Sequence, residues 1–164
     1  MCGIVGILSK KERNVAPLIG KMLSCMKNRS PDGMGLSTEN QMVYSDTFDN
    51  LLLSQVQGHD VLGHSRLAIV GGSCGQQPFV SCDRKLILEH NGEIYNYKEI
   101  RKSLSARHTF TTSTDSEVIV HLLEDHYTNT KGDLIEAIKR TVSQLDGIYV
   151  LAIREQSTGR RAWR

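Results

Sequence analysis

What this 164-residue chain does not contain argues against several kinds of partner and cofactor. Its 20 basic and 18 acidic residues leave a net charge of +2, too small an excess to favour nucleic acid or a membrane surface. Neither standard Gly-rich phosphate loop is present, which argues against nucleotide binding within these residues. The four cysteines, Cys2, Cys25, Cys74 and Cys82, show no paired metal-ligand spacing, and the six histidines show no metal-like cluster, so no metal is expected. An even cysteine count is weak evidence for disulfides at this length, and free thiols in a reducing, cytoplasmic setting are the expectation. The amino-terminal apolar run is followed by Lys10-Lys11 rather than preceded by charge, the wrong order for a signal peptide, and no stretch could span a bilayer. Repeats and low-complexity segments are missing too. A single domain over residues 1–164, long enough to bury a core without staples, is the expectation.

The stretch around which the chain is arranged is Met1-Cys2-Gly3-Ile4-Val5-Gly6. Cys2 is small enough to permit removal of Met1, and the new terminus would then carry its own thiol. A cysteine needs a base to become a nucleophile, and an α-amino group, with a pKa of about 8, can take a proton at neutral pH. Nucleophile and base would share one residue. Ile4 to Leu8 reads as a buried strand that holds this end rigid, although an ordinary edge strand beginning with Cys fits equally.

Further along, Leu18, Ile19, Met22, Leu23 and Met26 mark the core face of a helix over 16–26. Breakers at Asn28 to Gly35 predict a tight turn at Asp32-Gly33 before a new strand, and a short run follows at Met42 to Tyr44. Phe48 to Asp60 is without period, a short helix or loop. Val61 to Val70 reads as a strand containing Arg66, and Lys85 to His90 as a strand delivering Asn91-Gly92-Glu93 to its end, a usual place for chemistry. Helices are expected over 95–104, from 116 with Ser113 or Thr114 and Glu117 as a capping box, and over 133–142 with Leu134, Ile135, Ile138 and Val142 on one side. Thr109 to Thr112 is a short β-branched run, and Gly147 to Ile153 a strand buried on both faces. With so little strand-helix alternation, a sheet-on-sheet core with outer helices fits better than a doubly wound sheet.

Met1 to Gly6, Arg29-Ser30-Pro31-Asp32-Gly33, His64-Ser65-Arg66-Leu67-Ala68-Ile69-Val70, Asn91-Gly92-Glu93-Ile94-Tyr95-Asn96, Thr114-Asp115-Ser116-Glu117-Val118-Ile119 and Leu145-Asp146-Gly147 occur in one order. In that order they resemble the class II glutamine amidotransferase domains, over nearly the whole chain. The wording Arg-Leu-Ala-Ile-Val and Asn-Gly-Glu-Ile-Tyr-Asn-Tyr is most similar to the glutaminase domain of glutamine-hydrolysing asparagine synthetase. Glucosamine-6-phosphate synthase and glutamine phosphoribosylpyrophosphate amidotransferase are the alternatives within the class. The resemblance implies an α+β amino-terminal-nucleophile hydrolase fold, a four-layer αββα sandwich of two stacked antiparallel sheets with outer helices. It implies hydrolysis of L-glutamine to glutamate and ammonia, the ammonia passing to a synthetase domain or subunit. No cofactor is expected for this chain; ATP and Mg2+ would serve only a synthetase domain, which these residues do not include. A homodimer is allowed for.

In the implied site Cys2 is the nucleophile, and the Asn91 amide with the Gly92 N–H receives the developing oxyanion. Arg66 takes the substrate's α-carboxylate and Asp115 its α-ammonium. Glu93 adds a polar contact, and Leu67, Ile69 and Val70 supply backbone and apolar wall. On residue type alone Asp115 is as good a helix cap as a ligand, and Arg66 as good an ion-paired residue. His64 and His90 are read as structural. Ser30 stands where the family has glycine and Asn28 where histidine is common, which puts the geometry of that loop in question. A glutamine-binding or regulatory module without turnover is the reading from another class.

Overall fold

The apolar run after Cys2 forms strand β1 (Gly3–Leu8). The computed structural model describes residues 1–11, 13–46, 56–69, 71 and 75–156, and the backbone of 161–163. Two compact units divide the chain, one of Met1–Ile69, Gln76–Pro78 and Glu89–Asn91, the other of Val70–Gly75, Phe79–Leu88 and Gly92–Arg164. Each has its own sheet and its own apolar core.

The first unit adds α1 (Ala16–Cys25), β2 (Met34–Ser37), β3 (Met42–Ser45) and β4 (Asp60–Ser65). Its sheet has the order β1-β4-β2-β3, with every neighbouring pair antiparallel. Helix α1 lies on β1 and β4 and buries Ala16, Ile19, Gly20 and Leu23, while Leu18 and Met22, expected in the core, are 44% and 39% exposed. Small residues set this rotation. A Cβ on Gly63 of β4 would come within 2.7 Å of Ile19 Cγ2, so the helix seats closest where both surfaces are smallest. Ile19 is fully buried there, worth about 1.5–3 kcal/mol.

Strand β4 stops at Ser65 instead of running to Val70, which lies outside the described residues. The Arg66 N–H donates to Gly33 O (2.8 Å) and Arg66 O accepts from Asp32 N–H (2.9 Å), so a turn takes the groups a neighbouring strand would use. Most of the Phe48–Asp60 segment lies outside the described residues. Its last residue, Asp60, opens β4.

The second unit contains β5 (Phe79–Val80), the outer parts of β6 (Leu86–Ile94), α2 (Tyr97–Leu104), α3 (Glu117–Asn129), α4 (Leu134–Val142), β7 (Gly147–Glu155) and β8 (Arg161–Trp163). The sheet order is β5-β6-β7-β8. Leu86, Leu88, Ile119, Leu123, Ile138, Leu151 and Ile153 are central to its core. Asp133 caps α4 by accepting the Glu136 N–H, but Ile135 is 52% exposed and Ala137 and Thr141 take the buried face instead. Strand β7 is buried on both faces only from Leu151 onward; Ile148 and Val150 are 75% and 52% exposed. Thr109 to Thr112 is not a strand, because the Thr111 and Thr112 N–H groups both donate to the Glu117 carboxylate. No helix among the described residues is long and apolar enough to cross a membrane.

Candidate active site

Antiparallel pairing of β1 with β4 sets Gly3 against Ser65, which brings Cys2 to the residues just past the end of β4. The Cys2 thiol meets one peptide from two sides: Sγ accepts from the Leu67 N–H at 3.4 Å and donates toward Leu67 O at 3.6 Å. A carbonyl that accepts the S–H suits the neutral thiol, and an N–H aimed at sulfur suits the thiolate. The thiol is therefore positioned in either protonation state. Arg29 Nε reaches Cys2 O at 3.5 Å, and Arg66, whose side chain the strand reading placed mid-strand, sits in the irregular segment after β4 with 4% exposure.

The turn at Asp32-Gly33 braces that segment. Besides the two main-chain bonds of Arg66, the Asp32 carboxylate accepts the Ala68 N–H at 2.8 Å. Ser30, the departure that put this loop in question, is fully buried; its hydroxyl lies 2.5 Å from the Ser65 hydroxyl and 3.4 Å from Met26 O. Ser30 has negative φ, so a side chain is accommodated. Asn28 is exposed.

In the same unit, Asn91 is aimed by the residue before it. His90 N–H donates to Gln77 Oε1 (2.6 Å), and His90 O accepts both Gln77 Nε2–H (3.0 Å) and His64 Nε2–H (3.1 Å). Phe79 and Val80 pair with Leu88 and Ile87, so this register continued would set residue 77 against His90; the Gln77 side chain supplies that pairing beyond Pro78, which has no N–H. His64 is buried and neutral, its pKa pushed down to about 3 by desolvation despite the stabilising His90 carbonyl. Donation to that carbonyl puts the proton on Nε2. His64 is thus packed and hydrogen-bonded, as a structural histidine would be, and His90 is buried. Asn91 Oδ1 is buried with no hydrogen-bond partner among the described residues, so this amide atom is not consumed by the fold.

Gly92, Glu93 and Asp115 lie in the second unit. The triplet Asn91-Gly92-Glu93 is within β6 rather than past its end. Gly92 has φ of +154° and backs onto the Ile148 carbonyl, where a Cβ would collide with main chain. Asp115 is 6% exposed and does not cap α3, whose first turn has no side-chain cap; Asp115 Oδ2 accepts the Ile94 N–H at 2.9 Å. The carboxylate thus holds the end of β6 and keeps further lone pairs for a ligand. The Leu145-Asp146-Gly147 motif closes on the same segment: Asp146 O accepts the Tyr95 N–H, and Asn96 donates to Gln144 O and accepts from Asp146 N–H. Glu93 and Ile69 are exposed.

The role of Gln77 escaped sequence reasoning because nothing about a loop glutamine shows which backbone it replaces. The histidines are also less scattered than their spacing suggests: Cys82, His108, His121 and Glu124 converge in the second unit, with His121 and Glu124 three apart on α3 as the one local sign. Cys2, Cys25 and Cys82 are free thiols, and Cys74 lies outside the described residues.

Residues 49–162 match the family described as "Glutamine amidotransferase domain". An amidophosphoribosyltransferase of Methanocaldococcus jannaschii is 38% identical over 167 residues, covering 93% of this chain and 35% of that protein. A protein of the same organism provisionally named asparagine synthetase [glutamine-hydrolyzing] 1 is 36% identical over 159 residues, covering 96% and 27%. The structure of glutamine phosphoribosylpyrophosphate amidotransferase from B. subtilis, complexed with ADP and GMP, matches 94% of this chain and 35% of its own with a TM-score of 0.72 at 27% identity. The chain belongs to the class II glutamine amidotransferase domains and has their amino-terminal-nucleophile hydrolase fold. It spans about a quarter to a third of the length of these relatives.

Proposed function

We propose that this domain hydrolyses the side-chain amide of glutamine, with Cys2 as the nucleophile after removal of Met1. The single observation that carries the reading is the Cys2 thiol clasped by the N–H and C=O of Leu67 beside a buried Arg66. In this mechanism the freed α-amine takes the thiol proton, and sulfur attacks the amide carbon. The resulting oxyanion is received by the Asn91 side-chain NH2 and the Gly92 N–H, each donor worth about 2.7–4 kcal/mol of barrier. The protonated amine returns its proton to the departing nitrogen, which leaves as ammonia. Water then cleaves the γ-glutamyl thioester to glutamate and regenerates the thiol. Arg66 holds the α-carboxylate bidentately, Asp115 holds the α-ammonium, and the Leu67 backbone walls the substrate.

The acceptor of the ammonia is a synthetase domain or subunit, and the asparagine synthetase type is the reading favoured by the Arg66 to Val70 and Asn91 to Tyr97 wording. A phosphoribosyl acceptor is the second reading, supported by the 38% identity to an amidophosphoribosyltransferase. Against a glutamine-binding module without turnover, Ser30, the departure from the family's glycine, is packed into the loop through the Ser65 hydroxyl. Mass spectrometry of the amino terminus, run beside glutamate and ammonia release from glutamine, tests the proposal. Glutamate release by a chain lacking Met1 is expected; full activity with Met1 intact would sink the amine as base.

A further inference from the structure

Cys82, His108, His121 and Glu124 come from three parts of the second unit: the turn between β5 and β6, the segment after α2, and α3. Their ligand atoms lie within 4.8 Å of one another. Cys82 Sγ is 3.5 Å from His108 Nδ1 and 3.6 Å from His121 Nδ1, and Glu124 Oε2 is 3.4 Å and 3.7 Å from those nitrogens. In a tetrahedral zinc site with usual bond lengths, sulfur–nitrogen edges are about 3.6 Å and nitrogen–oxygen edges about 3.3 Å. The cluster already has close to those dimensions.

Proton placement makes the same point. His108 Nε2 donates to Asp125 Oδ1 at 2.8 Å, and His121 Nε2 faces Glu117 Oε1 at 3.9 Å. With each proton on the outward nitrogen, both Nδ1 atoms present lone pairs to the same point as a carboxylate oxygen and a sulfur. Four electron-pair donors then share at most one thiol proton. A cation at the centre resolves the conflict, and the Asp125 carboxylate hydrogen-bonded behind His108 is the usual means of orienting a metal-bound imidazole.

We propose that these four side chains form a structural site for a zinc-class divalent metal, with the thiol losing its proton on binding. Thiolate and imidazole donors select such a borderline-soft ion over magnesium or calcium. Four protein ligands leave no open position, so the ion's role is to tie the β5–β6 turn and the 108–112 segment to α3. Glu124 already gathers that turn, its two oxygens accepting the Cys82 and Asp83 N–H groups at 2.8 Å each. The site is separate from the residues assigned to glutamine and stands or falls without that assignment.

The test is metal binding by the full chain after chelator dialysis. One equivalent of Zn2+ should raise the melting temperature, and Co2+ should give a sulfur-to-cobalt charge-transfer band with the strong visible bands of a tetrahedral site. Cys82 is exposed, so Cys82→Ser leaves the core intact and should abolish the charge-transfer band while the metal-free melting temperature stays the same. Asp125→Asn should weaken Zn2+ binding by about 10- to 100-fold. Cys2→Ala controls for chelation by the amino-terminal thiol and should leave the cobalt spectrum unchanged. No stoichiometric binding, a Cys82→Ser spectrum like the parent's, or a band lost in Cys2→Ala instead would each overturn the site.

Discussion

Asp115 has an observed role in the fold and a proposed role toward the substrate, and a pair of substitutions can separate them. Its carboxylate accepts the buried Ile94 N–H at 2.9 Å, a hydrogen bond to a charged group worth about 1.5–3 kcal/mol. Asp115→Ala removes that acceptor, and at about 2–4 °C per kcal/mol for a chain of this size the melting temperature should drop about 3–12 °C. Asp115→Asn keeps an acceptor oxygen at the same place and should lose only the difference between a charged and a neutral bond, about 1–1.5 kcal/mol. Catalysis should not follow that order. If Asp115 holds the α-ammonium, either substitution leaves a ligand charge unpaired at a cost of about 2–5 kcal/mol, which lowers kcat/KM by about 30-fold to several thousand-fold, mostly through KM. A glutamine analogue lacking the α-amino group sharpens the assay: Asp115→Asn should hydrolyse it about as well as the parent does. The assignment fails if Asp115→Asn turns over glutamine with unchanged KM while Asp115→Ala only melts earlier.

Cys2→Ala should abolish glutamate release yet still bind glutamine by calorimetry; residual thiol-independent hydrolysis at the parent rate would refute the nucleophile. Ser30→Gly should cost about 1–2 kcal/mol in chemical denaturation, through the lost Ser65 bond, while kcat changes less than about threefold; a collapse of kcat would show that the hydroxyl does more than brace the loop. Acid stability should fall in two overlapping stages. His64, held near pKa 3 when folded, takes its proton more readily in the unfolded chain, so stability declines as pH drops from about 6.5 toward 3. Glu117 feels burial pushing its pKa up, but His121 and the Thr111 and Thr112 donors outweigh it and bring it to about 2, so its stabilisation is present above the ordinary value of 4.5 and is lost as pH falls through 2. Each slope is at most about 1.4 kcal/mol per pH unit, and urea midpoints for Glu117→Gln should flatten the lower stage only.

Periodicity located α1, α2, α3, α4 and the long strands because each buries a face, and burial leaves a repeat in the residue types. It misplaced the face of α1 because depth there depends on Ala16, Gly20 and Gly63, small residues that hydropathy ranks below Leu18 and Met22. β4 ended early because main-chain bonds from a distant turn captured Arg66, and no local pattern encodes a partner 33 positions away. At the site, Cys2 and Asn91 were legible as residue types in motifs. The bracing by Gln77 and the bond from Asp115 to Ile94 were not, since both are side-chain bonds to the backbone of β6. The convergence around Cys82 was hidden for the same reason, its ligands being up to 42 positions apart.

The Gln77 amide, pairing with both main-chain groups of His90, makes a side chain stand in for a strand. Protection of the His90 amide against deuterium exchange then rests on the rotamer of one buried glutamine rather than on separation of two strands. Opening that rotamer frees a single peptide, whereas strand separation frees several in concert. The exchange rate at His90, compared with that at Leu88, whose residue pairs with Phe79 in β5, becomes a local gauge of how firmly the peptide leading into Asn91 is held, readable without substrate and without turnover.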